Sequence, residues 1–117
     1  MKLTLIQQTL DENISLSSLY LISNLEKQGH ETDLKLIDTL KNKRIALKSS
    51  GIRNLIKILN NSERVVALGC MNNFLPHILF AIINFKKKNK KKIIILGGPG
   101  PSEYAEDIIN KFKEIDF

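Results

Sequence analysis

Apolar positions along the chain switch period several times between a strand rhythm and a helix rhythm. Lys2 to Gln7 predicts a first strand. Leu16 to Gln28 predicts a helix. Its apolar positions are Leu16, Leu19, Tyr20 and Ile22, with Leu21 and Leu25 on a neighbouring stripe. Ser15 stands where an N-cap belongs and Gly29 where a glycine ends a helix. Thr32 to Ile37 alternates, with Leu34 and Leu36 on one face and Asp33 and Lys35 on the other. Ile52 to Leu59 predicts a second helix, and Val65 to Leu68 a short, wholly apolar strand. A third helix runs from Phe74 to Lys87, with Pro76 tolerated in its first turn. Ile93 to Leu96 is a fourth strand. It runs into Gly97-Gly98-Pro99-Gly100-Pro101-Ser102 and then a helical pattern from Glu103 to Phe112. Thr39 to Ser50 is polar and lysine-rich, a loosely helical or mobile connection.

Strands alternating with helices predict right-handed βαβ units and a parallel sheet. The third and fourth strands are apolar on both faces, as interior parallel strands are, and the second alternates as an edge strand does. The expected fold is α/β, a flavodoxin-like, Rossmann-like three-layer sandwich with sheet order 2-1-3-4. A fifth strand belongs beside the fourth but is missing or truncated, since Ile115-Asp116-Phe117 supplies only its first residues. Residues 1–117 are therefore expected to form a single domain, a fragment of a longer chain. Its bare fourth strand is expected to invite pairing, giving a homodimer through that edge.

The length of 117 residues allows one core, and the apolar and charged fractions of 43% and 26% are those of a globular domain. No apolar run approaches the roughly 20 residues of a membrane span. The first residues are too short and polar for an export signal, so a cytoplasmic location is expected, with no membrane partner. One cysteine, Cys70, excludes an internal disulfide. The net charge of +6 equals the count of lysines between Lys86 and Lys92; without them basic and acidic residues balance. The run is read as solvated, complementing the negative end of the third helix, against the weaker alternative of docking on an acidic surface or on RNA. No aromatic residue interleaves with it, so no base-stacking platform, and no nucleic-acid partner, is expected.

In such a sheet, ligands bind at the carboxyl ends of the strands. That edge gathers Thr9, Leu10 and Asp11 after the first strand and Gly69, Cys70, Met71, Asn72 and Asn73 after the third. Gly97, Gly98, Pro99 and Gly100 follow the fourth. Glycines let a ligand approach the backbone, and the asparagines can bond a ligand or cap the third helix. Cys70 reads as a small buried hydrophobe, against the alternative of a nucleophile paired with His77. His77 as a metal ligand and His30 as a chemical group are weaker alternatives to ordinary structural histidines. No glycine follows the first strand, which excludes a dinucleotide fingerprint or a P-loop. A phospho-receiver would end its third strand in Asp, and here stands Gly69-Cys70.

Three stretches resemble the cobalamin-binding domain at the N-terminus of B12-dependent radical SAM enzymes. They are Leu19-Tyr20-Leu21 through Gly29-His30-Glu31 to Ile37-Asp38, then Val66-Ala67-Leu68-Gly69-Cys70-Met71, then Ile94 to Ser102 with Ala105-Glu106. The resemblance implies a corrinoid ligand, cobalamin, over the carboxyl edge, its nucleotide tail threading between strands one, three and four. Gly97 and Gly98 would make room for the tail, and the Gly69-Cys70-Met71 turn would line it. Relatives of the mutase type carry a cobalt-ligating His after the first strand. Leu10 to Ser15 has none, so no metal ligand is expected there. The iron–sulfur cluster and S-adenosylmethionine would belong to a C-terminal radical SAM domain of a parent chain, of methyltransferase type. No catalytic residue, and no catalysis by this chain alone, is expected. The alternative is a degenerate domain of the same fold serving as a scaffold or partner-docking module without ligand.

Overall fold

A computed structural model of the chain describes residues 1–9, 13–38 and 49–117. Four parallel strands, β1 Lys2–Thr9, β2 Glu31–Asp38, β3 Val65–Gly69 and β4 Ile93–Gly97, form one sheet in the order β2-β1-β3-β4. This is the expected α/β, flavodoxin-like arrangement. The register sets Leu5 beside Ala67 and Gly69 beside Gly97. Helices α1 Leu16–Lys27, α2 Ser49–Asn60 and α3 Leu75–Lys86 follow the first three strands. A 3-10 turn, Asn72–Phe74, leads into α3. The pattern expected as one helix after β4 starts earlier and is broken: α4 spans Pro99–Glu103 and α5 spans Ala105–Lys111, with Tyr104 between them. Of the connection expected from Thr39 to Ser50, residues 39–48 lie outside the described residues, and Ser49 and Ser50 open α2.

Alternation sends successive strand side chains to opposite faces of the sheet. Ile6, Val66, Leu68 and Ile94 point to one face and join a core with Leu59 of α2, Ile82 and Phe85 of α3, and Ile108 of α5. Burial of these side chains is the main stabilising term, each worth about 1.5–3 kcal/mol. Leu5, Gln7, Ala67, Gly69, Ile95 and Gly97 occupy the other face, which α1 covers only in part. Helix α1 begins on an N-cap, the Ser15 hydroxyl accepting from the Ser18 amide, and ends in a Schellman turn at Gly29 with φ 84°. In that turn the His30 amide donates to the Leu25 carbonyl at 3.0 Å. The expected apolar stripe of α1 is not its inner face. Leu16 and Tyr20 are 82% and 73% exposed, while Ser18 is buried.

The outer edge of β4 is not bare. The Phe117 amide donates to the Ile94 carbonyl at 3.2 Å, and the Leu96 amide donates to the Phe117 carbonyl at 2.9 Å. That pair of bonds is one rung of a parallel ladder. The Asp116 carboxylate also accepts from the Ile94 amide at 2.8 Å and from Lys86 Nζ at 2.8 Å. Ile115–Phe117 thus lies along β4 in the place of a fifth strand, and it takes up the Ile94 carbonyl and the Ile94 and Leu96 amides on the edge expected to be bare. Partial burial works to raise the Asp116 pKa. The hydrogen bonds from Lys86 and Ile94, with the Lys86 charge, outweigh it and hold the carboxyl below its usual range.

Candidate ligand-binding cleft

The carboxyl ends of β1, β3 and β4 border an open, mostly apolar cleft of about 490 Å³. Leu5, Ala67 and Ile95 make its floor, continued by Gly69 and Gly97. The start of α1 forms one wall, with Ser15, Ser17, Ser18 and Leu21. Cys70, Met71, Gly98 and Pro99 form the opposite rim.

The four glycines of this edge divide into two pairs. Gly69 and Gly97 are register mates, and a Cβ on either would meet nothing within 4 Å. Neither has a positive φ. Nothing among the described residues requires glycine at these two positions; the bare backbone widens the floor of the cleft. Gly98 and Gly100 have the opposite character. Gly98 has φ 98°, and its Cβ would stand 2.8 Å from the Cys70 carbonyl oxygen. A Cβ on Gly100 would stand 2.8 Å from the Met71 carbonyl carbon. The turn after β4 therefore nests backbone to backbone on the turn after β3, tied by the Gly100 amide donating to the Cys70 carbonyl at 3.3 Å. Sequence reasoning gave Gly97 and Gly98 one shared role as room for a ligand tail. The structure gives the open space to Gly97 and the packing contact to Gly98.

Most polar groups around the cleft hold its walls in place. The Gln7 side chain, buried at the end of the floor, accepts from both the Ser15 amide and hydroxyl at 3.2 Å and donates to the Asn13 carbonyl at 3.4 Å. Gln8 Oε1 accepts from the Met71 amide at 3.3 Å and so steadies the rim. Ser17 is exposed at the mouth, and its hydroxyl has no partner among the described residues. Cys70 is 3% exposed, and burial pushes its thiol up to about 11. It is neutral and shielded at physiological pH, the opposite of an activated nucleophile. No hydrogen bond joins it to His77, which sits half-buried on α3 with Nδ1 unpartnered.

Comparison of the chain with family models, curated proteins and solved structures finds no match.

Of the residues expected at this edge, the cleft brings together Gly69, Cys70, Met71, Gly97, Gly98 and Pro99. Gly100 is buried in the joint between the two turns. Asn72 and Asn73 are exposed outside the cleft; Asn72 Nδ2 donates to Glu103 at 2.8 Å. Neither caps α3, whose N-cap residue is Phe74 and which has no side-chain cap bond. Thr9 ends β1, paired with Asp38 of β2. Leu10 and Asp11 lie outside the described residues. Sequence reasoning missed Gln7 and the serines of α1. The available signals were a glutamine at an inward strand position and a serine pair interrupting an apolar helix. Among the described residues, no group of three His, Cys, Asp or Glu side chains is placed to hold a metal ion, and no helix is long and apolar enough to cross a membrane.

Proposed function

We propose that the chain is a cobalamin-binding module that holds the nucleotide tail of a corrinoid in the cleft between β1, β3 and β4. One observation carries this reading. The register mates Gly69 and Gly97 lay an open floor of bare backbone along an apolar cleft, and packing among the described residues requires glycine at neither position. Such a floor fits the close approach of a flat, largely apolar ring system. Leu5, Ala67 and Ile95 would support the ring from below, Leu21 would flank it, and Ser17 would meet a polar group at the mouth. The corrinoid, when bound, supplies group-transfer chemistry at its cobalt. The role of this chain would be binding and orientation. In this reading the reaction belongs to a radical SAM domain that brings the iron–sulfur cluster and S-adenosylmethionine, and the protein works in the cytoplasm. The resemblance of the Ile94 to Ser102 stretch to that family's glycine turn adds support.

Titration of the purified chain with hydroxocobalamin is expected to shift the corrin absorption bands with saturation in the micromolar range. Gly97→Val is expected to weaken binding at least tenfold while the thermal midpoint is maintained. No spectral change at high micromolar cobalamin, or unchanged affinity in Gly97→Val, overturns the reading.

A further inference from the structure

The lysine run divides into two classes once folded. Lys86 is only 9% exposed; its Nζ donates to the Lys92 carbonyl at 2.5 Å and pairs with Asp116 at 2.8 Å. Lys92 reaches back to the end of α2. Its Nζ donates to the Leu59 and Ser62 carbonyls, each at 2.6 Å, and to the Asn60 carbonyl at 3.3 Å. A cation there satisfies the carbonyls that a helix end leaves open. These two lysines clamp both ends of the turn between α3 and β4 and fix its course.

The remaining four, Lys87, Lys88, Lys90 and Lys91, are exposed, and their ammonium groups make no ion pair or hydrogen bond among the described residues. The fold adds a fifth, Lys113, from the segment after α5. Lys113, Lys87 and Lys90 line one open hollow of about 400 Å³, together with Lys86, Glu114 and Asp116. The Asp116 carboxylate already faces Lys86. The hollow therefore presents three unpaired ammonium groups against the one carboxylate of Glu114. Lys88 and Lys91 extend the charge along the same turn.

We propose that this lysine-lined hollow, at the end of the sheet opposite the cleft, is a second site that grips the phosphate backbone of a nucleic-acid duplex. Ammonium groups act as point charges on phosphates and need no fixed fork geometry. A protein partner fits the patch poorly. The centres of protein interfaces are rich in aromatic residues and arginine and poor in lysine, and Ile83 is the hollow's one apolar lining residue. No aromatic ring lines it, so bases have nothing to stack on, and contact is confined to the backbone, independent of sequence.

The test is fluorescence anisotropy of the chain with a labelled mixed-sequence DNA duplex of about 20 base pairs, in roughly 50 to 200 mM salt. Four or five phosphate contacts give a slope of log K against log salt near −4, a loss of roughly 10²- to 10³-fold across that range. Lys113→Gln is expected to make the slope less steep by about 0.9, although it lies outside the run, and Lys27→Gln on α1 is expected to leave it unchanged. Thermal melts of both variants, expected at the wild-type midpoint, exclude unfolding as the cause. Three outcomes overturn the proposal. They are absence of binding at 50 mM salt, equal effects of Lys113→Gln and Lys27→Gln, and tighter binding of labelled polyglutamate than of the duplex.

Discussion

At the scale of single residues, the glycines carry the most information, and they do so in opposite ways. Gly98 combines a positive φ with a backbone neighbour at 2.8 Å, so a methyl group there meets both strain and overlap. Gly98→Ala is expected to cost about 2 kcal/mol or more in urea denaturation. Gly97→Ala, in an ordinary strand conformation with open space above it, is expected to raise stability by about 0.5 kcal/mol through reduced unfolded-state freedom. The same change should weaken cobalamin binding, which separates a floor kept open for a ligand from a turn kept tight for folding. The sequence showed that glycines cluster at the carboxyl edge. It did not show which of them face space, because that depends on the register of β3 against β4 and on where the two turns meet. Cys70 was legible as a buried small residue, and the structure adds the height of its pKa. Alkylation by iodoacetamide at pH 8 is expected to be at least a hundredfold slower in the native chain than in urea. Burial and the scarcity of thiolate act in the same direction.

At the scale of elements, periodicity was a good guide to where helices and strands lie and a poor guide to how α1 is turned. Counting apolar positions put Leu16 and Tyr20 inward, whereas the buried residue of the helix is Ser18. The start of α1 is tied to the end of β1 by Gln7, which accepts from Ser15. That tie is a contact between two polar side chains eight residues apart, and a hydropathy pattern carries no trace of it. The tail beside β4 is a second example. Ile115–Phe117 was recognisable as the opening of a strand, but the Lys86–Asp116 pair that anchors it was hidden in a run read as solvated. Asp116→Ala is expected to lower stability at pH 7 by about 1 kcal/mol or less, since the carboxylate is a third exposed and screened by solvent. The native carboxyl titrates below its unfolded value, so its contribution is full at neutral pH and fades as pH falls below about 4 through the native pKa. Thermal midpoints of wild type and variant should therefore stay apart down to about pH 4 and converge as the pH is lowered further.

At the scale of the whole molecule, the sheet order was readable from the chain, because three βαβ crossovers of one hand and two fully apolar strands leave few arrangements. The distribution of charge was readable only as a total. Folding assigns two lysines of the run to internal contacts, adds Lys113 from elsewhere, and sets the resulting cationic end opposite the apolar cleft. The two ends are separated by the length of the strands, so binding at one can be measured in variants of the other.

The nested turns after β3 and β4 bear on how freely this chain can change. Their joint is made of main-chain atoms, and the side chains of Met71 and Asn72 project outward from it. A library randomised across both turns and selected for folding alone would retain glycine at 98 and 100 and let Met71 and Asn72 vary widely. Sequences diverging under that constraint lose recognisable similarity at the turns while the shape of the edge persists. Two small residues would then be the last trace of a shared architecture.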